Sequence, residues 1–214
     1  MIIECKAIIF DLDGTLVDST ICIEKTWKKW AKKHNIETGA LASIHGMTSY
    51  KTISLIAPHL DAEKATIEFD KEEIKETEGL KLIAHADKIL NMLPAEKWAI
   101  ATSGSNKLAT SRLSHVGLPI PKILVTSDDI TNSKPHPEPY LLAAKYLDIS
   151  PEDCVVFEDS LAGIKAGKTA GAKVIGITTL FKKEDLSDTD AVINDFSDVK
   201  IHIKHDKLEL HIND

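Results

Sequence analysis

Residues 7–10, Ala-Ile-Ile-Phe, form an unbroken apolar run that stops at Asp11-Leu12-Asp13-Gly14-Thr15. A short apolar run closed by a glycine turn predicts a strand buried on both faces of a parallel sheet. Similar runs recur at Trp98–Ala101, Ile123–Thr126, Cys154–Phe157 and Val174–Ile177, with a shorter one at Ala191–Ile193. Helical periodicity between them predicts helices over 86–93, 105–116, 137–147 and 160–170. Strands alternating with helices of this length predict an α/β fold, a doubly wound parallel sheet.

One stretch breaks that rhythm. Val17, Ile21, Ile23, Trp27, Trp30 and Ala31 make a helical stripe over 17–33, with Asp18 and Ser19 as starters. Two more helices are predicted over 49–57, stopped before Pro58, and over 61–77, opened by Asp61 and closed by Gly79. A short connection through Gly39 and His45-Gly46-Met47 holds a further small helix. Residues 16–82 contain no convincing strand and read as a small all-helical cap inserted after the first strand. The core then comprises residues 1–15 and 83–214. At the other end, Lys200–Lys204 and Leu208–Ile212 alternate apolar and polar residues, which predicts an antiparallel hairpin.

Composition narrows the choices. A chain of 214 residues holds one medium domain, or a core with a small insert. The formal net charge of -7 gives a nucleic-acid role no electrostatic support. Nothing resembles a membrane span, and no long apolar segment follows a basic start. Cys5, Cys22 and Cys154 lack metal-ligand spacing and cannot all pair within one chain, so a reducing cytoplasm is expected.

Open α/β sheets place their chemistry beyond the carboxyl ends of the strands, and four groups of residues fall there. Asp11 and Asp13 are alternate residues; two carboxylates so close call for a metal ion, a divided acid/base role, or both. Thr102 and Ser103, with Gly104-Ser105-Asn106 opening a helix, offer donors for a phosphate or an ordinary helix cap. Lys134 sits in Ser133-Lys134-Pro135-His136-Pro137, a loop stiffened by proline, as a fixed cation. Glu158 and Asp159 follow a buried strand and supply hard oxygen ligands suited to Mg²⁺.

In that order (Asp-x-Asp, Thr-Ser, Lys-Pro, Glu-Asp), these groups resemble the four motifs of the haloacid dehalogenase superfamily over nearly the whole chain. The resemblance implies a Rossmann-like core with Asp11 as nucleophile and Asp13 as general acid/base. It also implies phosphate binding by Thr102, Ser103 and Lys134. Asp11, Glu158, Asp159 and the main-chain carbonyl of Asp13 would serve a Mg²⁺ site. The small helical insert, His45-Gly46-Met47 and Lys134-Pro-His-Pro-Glu-Pro-Tyr140 are similar to the sugar- and polyol-phosphate branch. That branch includes 2-deoxyglucose-6-phosphate and glycerol-phosphate phosphatases.

The expected substrate is therefore a small phosphorylated sugar or polyol, with His45 and Gly46 contacting it, in a monomer or weak dimer. A sugar phosphomutase of the β-phosphoglucomutase type shares every catalytic residue, although Thr15 favours hydrolysis. Two positions depart from the family pattern. Ala84-His85 replaces a common Pro-Gly, so His85 either starts a helix or touches substrate. Met47 stands where many relatives have arginine, as packing or as a specificity residue.

Overall fold

Alternation inside each apolar run decides how the central sheet is covered. The computed structural model describes residues 1–37 and 46–213. Strand β1 (Ile2–Cys5) precedes β2 (Ala7–Phe10), and β3 (Val17–Asp18) leads into helices α1 (Thr20–His34), α2 (Ser49–Ile56) and α3 (Ala62–Lys75). Then come β4 (Lys81–Leu82), α4 (Ala86–Met92), β5 (Trp98–Ala101), α5 (Asn106–Val116), β6 (Leu124–Val125) and α6 (Glu138–Leu147). The chain finishes with β7 (Cys154–Glu158), α7 (Leu161–Ala170), β8 (Lys173–Ile177), β9 (Ala191–Ile193), β10 (Val199–Ile203) and β11 (Leu208–Ile212).

Six strands form a parallel sheet in the order β6-β5-β2-β7-β8-β9. Every residue of β2, β5 and β7 is buried. Ile8, Phe10, Trp98, Ile100 and Phe157 fill the core on one face. On the other, the smaller Ala7, Ala99 and Ala101 let Tyr140, Ala143 and Ala144 of α6 pack closely. Phe10 lies at the centre, stacked on Phe157 with ring centroids 5.3 Å apart. The loop after β2 thus leaves a fully buried strand.

The stretch 16–82 is not wholly helical, because β3 and β4 pair antiparallel, Val17 opposite Leu82. The chain segments leaving and re-entering the sheet layer are zipped together there, and the helix expected from residue 17 begins only at Thr20. Likewise β1, which periodicity did not reveal, joins the expected C-terminal hairpin to make a three-stranded sheet β1-β11-β10.

The inserted helices have their own small core of Trp27, Trp30, Ile53, Ala57, Ala65 and Phe69. Trp27 and Phe69 lie 4.0 Å apart by ring centroids. Asp61 caps α3 by accepting from the Lys64 N–H, as expected of a helix starter. Ser19 precedes α1 but makes no cap bond; its hydroxyl is used elsewhere. The small helix anticipated around residues 39–47 falls largely outside the described residues. His85 adopts the left-handed conformation (φ 64°) just before α4 and is the start of a helix. All three cysteines are buried free thiols. Among the described residues, no helix is long and apolar enough to cross a membrane.

Candidate active site

The backbone of Asp11 extends the parallel sheet by one step: its N–H donates to the Phe157 carbonyl at 3.0 Å. That bond sets Asp11 beside Glu158 and Asp159, at the carboxyl end of β7. A tight turn follows, with the Gly14 N–H donating to the Val17 carbonyl at 2.7 Å. Gly14 has φ +85°, and a Cβ there would fall 1.9 Å from Asp159 Oδ2. Only glycine combines that backbone conformation with so close an approach. Gly14→Ala is therefore expected to displace Asp159 and weaken divalent-ion binding by about 10- to 100-fold. Isothermal titration of the folded variant checks this, and unaltered affinity contradicts it.

Lys134 is the cation at the centre. Its side chain is fully buried, and Nζ donates to Asp11 Oδ1 at 2.5 Å and to Glu158 Oε1 at 2.7 Å. The Tyr140 ring lies 4.9 Å from Nζ, and the Tyr140 hydroxyl donates to Glu158 Oε1 at 2.9 Å. Glu158 Oε2 accepts from the Ser160 N–H (2.7 Å) and Ser160 Oγ (3.0 Å). Gly163 leaves room for this carboxylate; a Cβ there would fall 1.6 Å from Oε1. Burial alone would lower the Lys134 ammonium, but Asp11 and Glu158 outweigh it and hold its pKa well above the ordinary value. The lysine stays charged.

The acids are under-compensated. Asp11, Glu158 and Asp159 offer oxygens that lie within 4.8 Å of one another. Three carboxylates against one ammonium leave two negative charges in a buried space. Burial pushes Asp11 up to about 8, against the pull of Lys134, with Glu158 and Asp13 adding to the rise. Asp159 is raised well above the carboxylate range, again by burial first and then by Glu158 and Asp11. One Asp159 oxygen accepts only a long 3.4 Å bond from Thr15, and Oδ2 is buried without a partner. An orphaned buried carboxylate oxygen beside two more acids fits a hard divalent cation. Glu158 has the least capacity left, since four donors already occupy its oxygens. Asp11 and Asp159 are the better-placed ligands.

Asp13 takes no part in this cluster through its carboxylate. Its Oδ1 accepts from Ser19 Oγ at 2.7 Å and pairs with Arg112 Nη1 at 2.5 Å. Arg112, on α5, also donates through Nη2 to Glu73 Oε1 of α3 at 3.0 Å. Both Arg112 and Glu73 are buried. Burial pushes Glu73 up to about 7 despite this pairing. Neither residue stood out in the sequence.

Thr102 is buried at the end of β5, its Oγ1 accepting from the Gly104 N–H at 3.1 Å. Ser103 Oγ donates to the Gly46 carbonyl at 2.7 Å, tying the α/β core to the inserted helices. Ser105 precedes α5 without a side-chain cap bond. Instead, the Asp128 carboxylate accepts from the Asn106 N–H at 3.0 Å.

Asp11, Asp13, Thr102, Ser103, Asp159 and Gly46 all border one cavity of about 80 Å³. Met47, Ser49, Trp27 and Phe69 from the insert form the opposite wall, and Arg112 and Glu73 line it between the two layers. Tyr50 and Lys51 line a separate outer groove instead. His85 lines neither, and His45 lies outside the described residues.

An aspartate-centred site at the carboxyl edge of a doubly wound sheet, with a buried lysine and an acidic trio, defines a class of hydrolase. The profile of the "Haloacid dehalogenase-like hydrolase" family matches residues 8–177, and the chain belongs to that family. Hexitol phosphatase A of Escherichia coli is 35% identical over 204 residues, 92% of this chain and 94% of that protein. Glycerol-1-phosphate phosphohydrolase 2 of Saccharomyces cerevisiae is 34% identical over 93% of this chain and 86% of its own length. The crystal structure of a hydrolase from Pseudomonas syringae superposes with a TM-score of 0.80 and 28% identity, covering 89% of this chain and 94% of that one.

Proposed function

We propose that the protein is a Mg²⁺-dependent phosphatase of small sugar or polyol phosphates, with Asp11 as nucleophile and Asp13 as general acid/base. The observation that carries this reading is the Asp11 carboxylate held by buried Lys134 within the acidic trio, facing a small covered cavity. Residues 1–15 and 83–214 form the catalytic core in this reading, and 16–82 form the cap.

Placement supports these roles: Asp11, Asp13, Thr102 and Ser103 border one cavity, and Lys134 is bonded to Asp11. Thr102, Ser103 and Lys134 bind the phosphate; Asp11, Asp159, Glu158 and the Asp13 main-chain carbonyl would hold the cation. When bound, Mg²⁺ neutralises phosphate oxygens and the surplus charge of the acids. Asp11 attacks phosphorus as the ester P–O bond breaks, and Asp13 gives its proton to the departing alcohol oxygen. Water then attacks the aspartyl-phosphate, Asp13 takes up its proton, and inorganic phosphate leaves Asp11 free.

The lining supports a small phosphorylated substrate: Trp27, Met47, Ser49 and Phe69 of the insert border the same cavity as Asp11 and Asp13. A panel of sugar, polyol and nucleotide phosphates, assayed for phosphate release, tests the reading. Glycerol and hexitol phosphates should be cleaved faster than nucleotides, with activity lost on chelation and restored by Mg²⁺. Nucleotides cleaved best, or phosphate moved between carbons of one sugar, would replace it with a nucleotidase or a mutase.

A further inference from the structure

We infer that Arg112 is a positioning residue for Asp13, and that Glu73 ties this position to the seating of the cap. The inference rests on the phosphatase reading above. Arg112 is 4% exposed, on core helix α5, and its planar guanidinium engages two carboxylates at once. One belongs to Asp13 in the loop after β2; the other belongs to Glu73 on cap helix α3. A rigid fork fixes the direction of both partners more tightly than a lysine could.

The bonds divide the two oxygens of Asp13. Ser19 Oγ and Arg112 Nη1 both hold Oδ1. Oδ2 accepts no hydrogen bond among the described residues, and Asp13 borders the cavity. That leaves Oδ2 as the oxygen free to carry a proton to and from the reacting ester. Arg112 itself is not a second phosphate site, because both of its Nη atoms are already committed to carboxylates. Cap–core adhesion alone does not require this arrangement either: apolar residues fill such an interface without the cost of desolvating two acids and a guanidinium. The pair has another use where it stands, on the wall beside Asp13. Seating α3 supplies Glu73, Glu73 orients Arg112, and Arg112 orients Asp13.

The test compares kcat/KM for glycerol phosphate and p-nitrophenyl phosphate with Mg²⁺ in wild type, R112M, R112K, E73L, D13N and D13N/R112M. An alkoxide must be protonated as it leaves, whereas nitrophenolate departs without a proton. R112M should lose about 10- to 100-fold on glycerol phosphate, with a much smaller loss on the nitrophenyl ester. R112K and E73L should show the same bias with smaller losses. Adding R112M to D13N should bring no comparable further loss on glycerol phosphate, since both act through one carboxylate.

Equal losses on the two esters in R112M and R112K, or a full additional loss in the D13N background, would overturn the inference and leave the phosphatase reading intact. Should R112M fail to fold, R112K and E73L carry the same comparison. A wild-type protein inactive on both esters would overturn the phosphatase reading, and the inference with it.

Discussion

Asp11→Asn is expected to abolish turnover while the protein stays folded. An amide cannot form the acyl phosphate, so kcat on the best substrate should fall by about 10⁴-fold or more. The fold should survive because an amide conserves the shape of the carboxylate it replaces. Lys134 keeps Glu158 as an ionic partner at 2.7 Å. The asparagine can still donate its backbone N–H to Phe157 and hold the end of the sheet. Phosphate release and thermal melting of the purified variant check both halves. A folded D11N protein with substantial activity would falsify the covalent role.

The layout of the site was legible in the sequence because each piece is local. Asp11, Thr102 and Asp159 each directly follow a short apolar strand, and a parallel sheet gathers such strand ends along one edge; Lys134 lies farther along, in the proline-flanked loop before α6. The helical insert was legible for a similar reason, since the stripe from Val17 to Ala31 repeats at helical spacing. The helix start and the strand pairing β3–β4 were not. Two residues are too short for a period, and their register depends on where the chain returns some sixty positions later.

Arg112 and Glu73 were hidden by a different cause. Arg112 lies in Asn106-Lys-Leu-Ala-Thr-Ser-Arg-Leu, where a basic residue on an amphipathic helix reads as solvated. Glu73 lies in a charged run, Asp70-Lys-Glu-Glu, with the same bland reading. Their burial arises only when α3 is laid against α5, a tertiary event joining residues 39 positions apart. Ser103 stands at its expected strand end, but its hydroxyl bonds the Gly46 carbonyl, a partner that no local pattern indicates. His85 is explained by backbone geometry: the chain needs positive φ before α4, which no local pattern of polarity announces.

Lys134→Met is expected to be the most destabilising single change in the site. Nζ is fully buried between Asp11 and Glu158, and no other cation touches either carboxylate among the described residues. Removing one partner of a buried ionic network typically costs about 3–5 kcal/mol, because the remaining charge is left uncompensated. The pH dependence carries a sign. Asp11 has a folded-state pKa of about 8 against an ordinary 3.8, so folding takes up a proton between those values. Stability is therefore fully present below the lower value and is lost as pH rises through the higher one. Lys134 pulls Asp11 down, so without it the folded pKa climbs and the loss continues to higher pH. The gap between wild type and K134M should then be wider at about pH 9 than at about pH 7. Mg²⁺ should narrow it, since the variant site carries one more uncompensated negative charge, binds the cation more tightly and so gains more stability by mass action. Denaturant unfolding at the two pH values, with and without Mg²⁺, provides the measurement. A gap that stays constant with pH and is indifferent to Mg²⁺ would mean that Lys134 acts as buried volume and not as the charge that holds Asp11 in place.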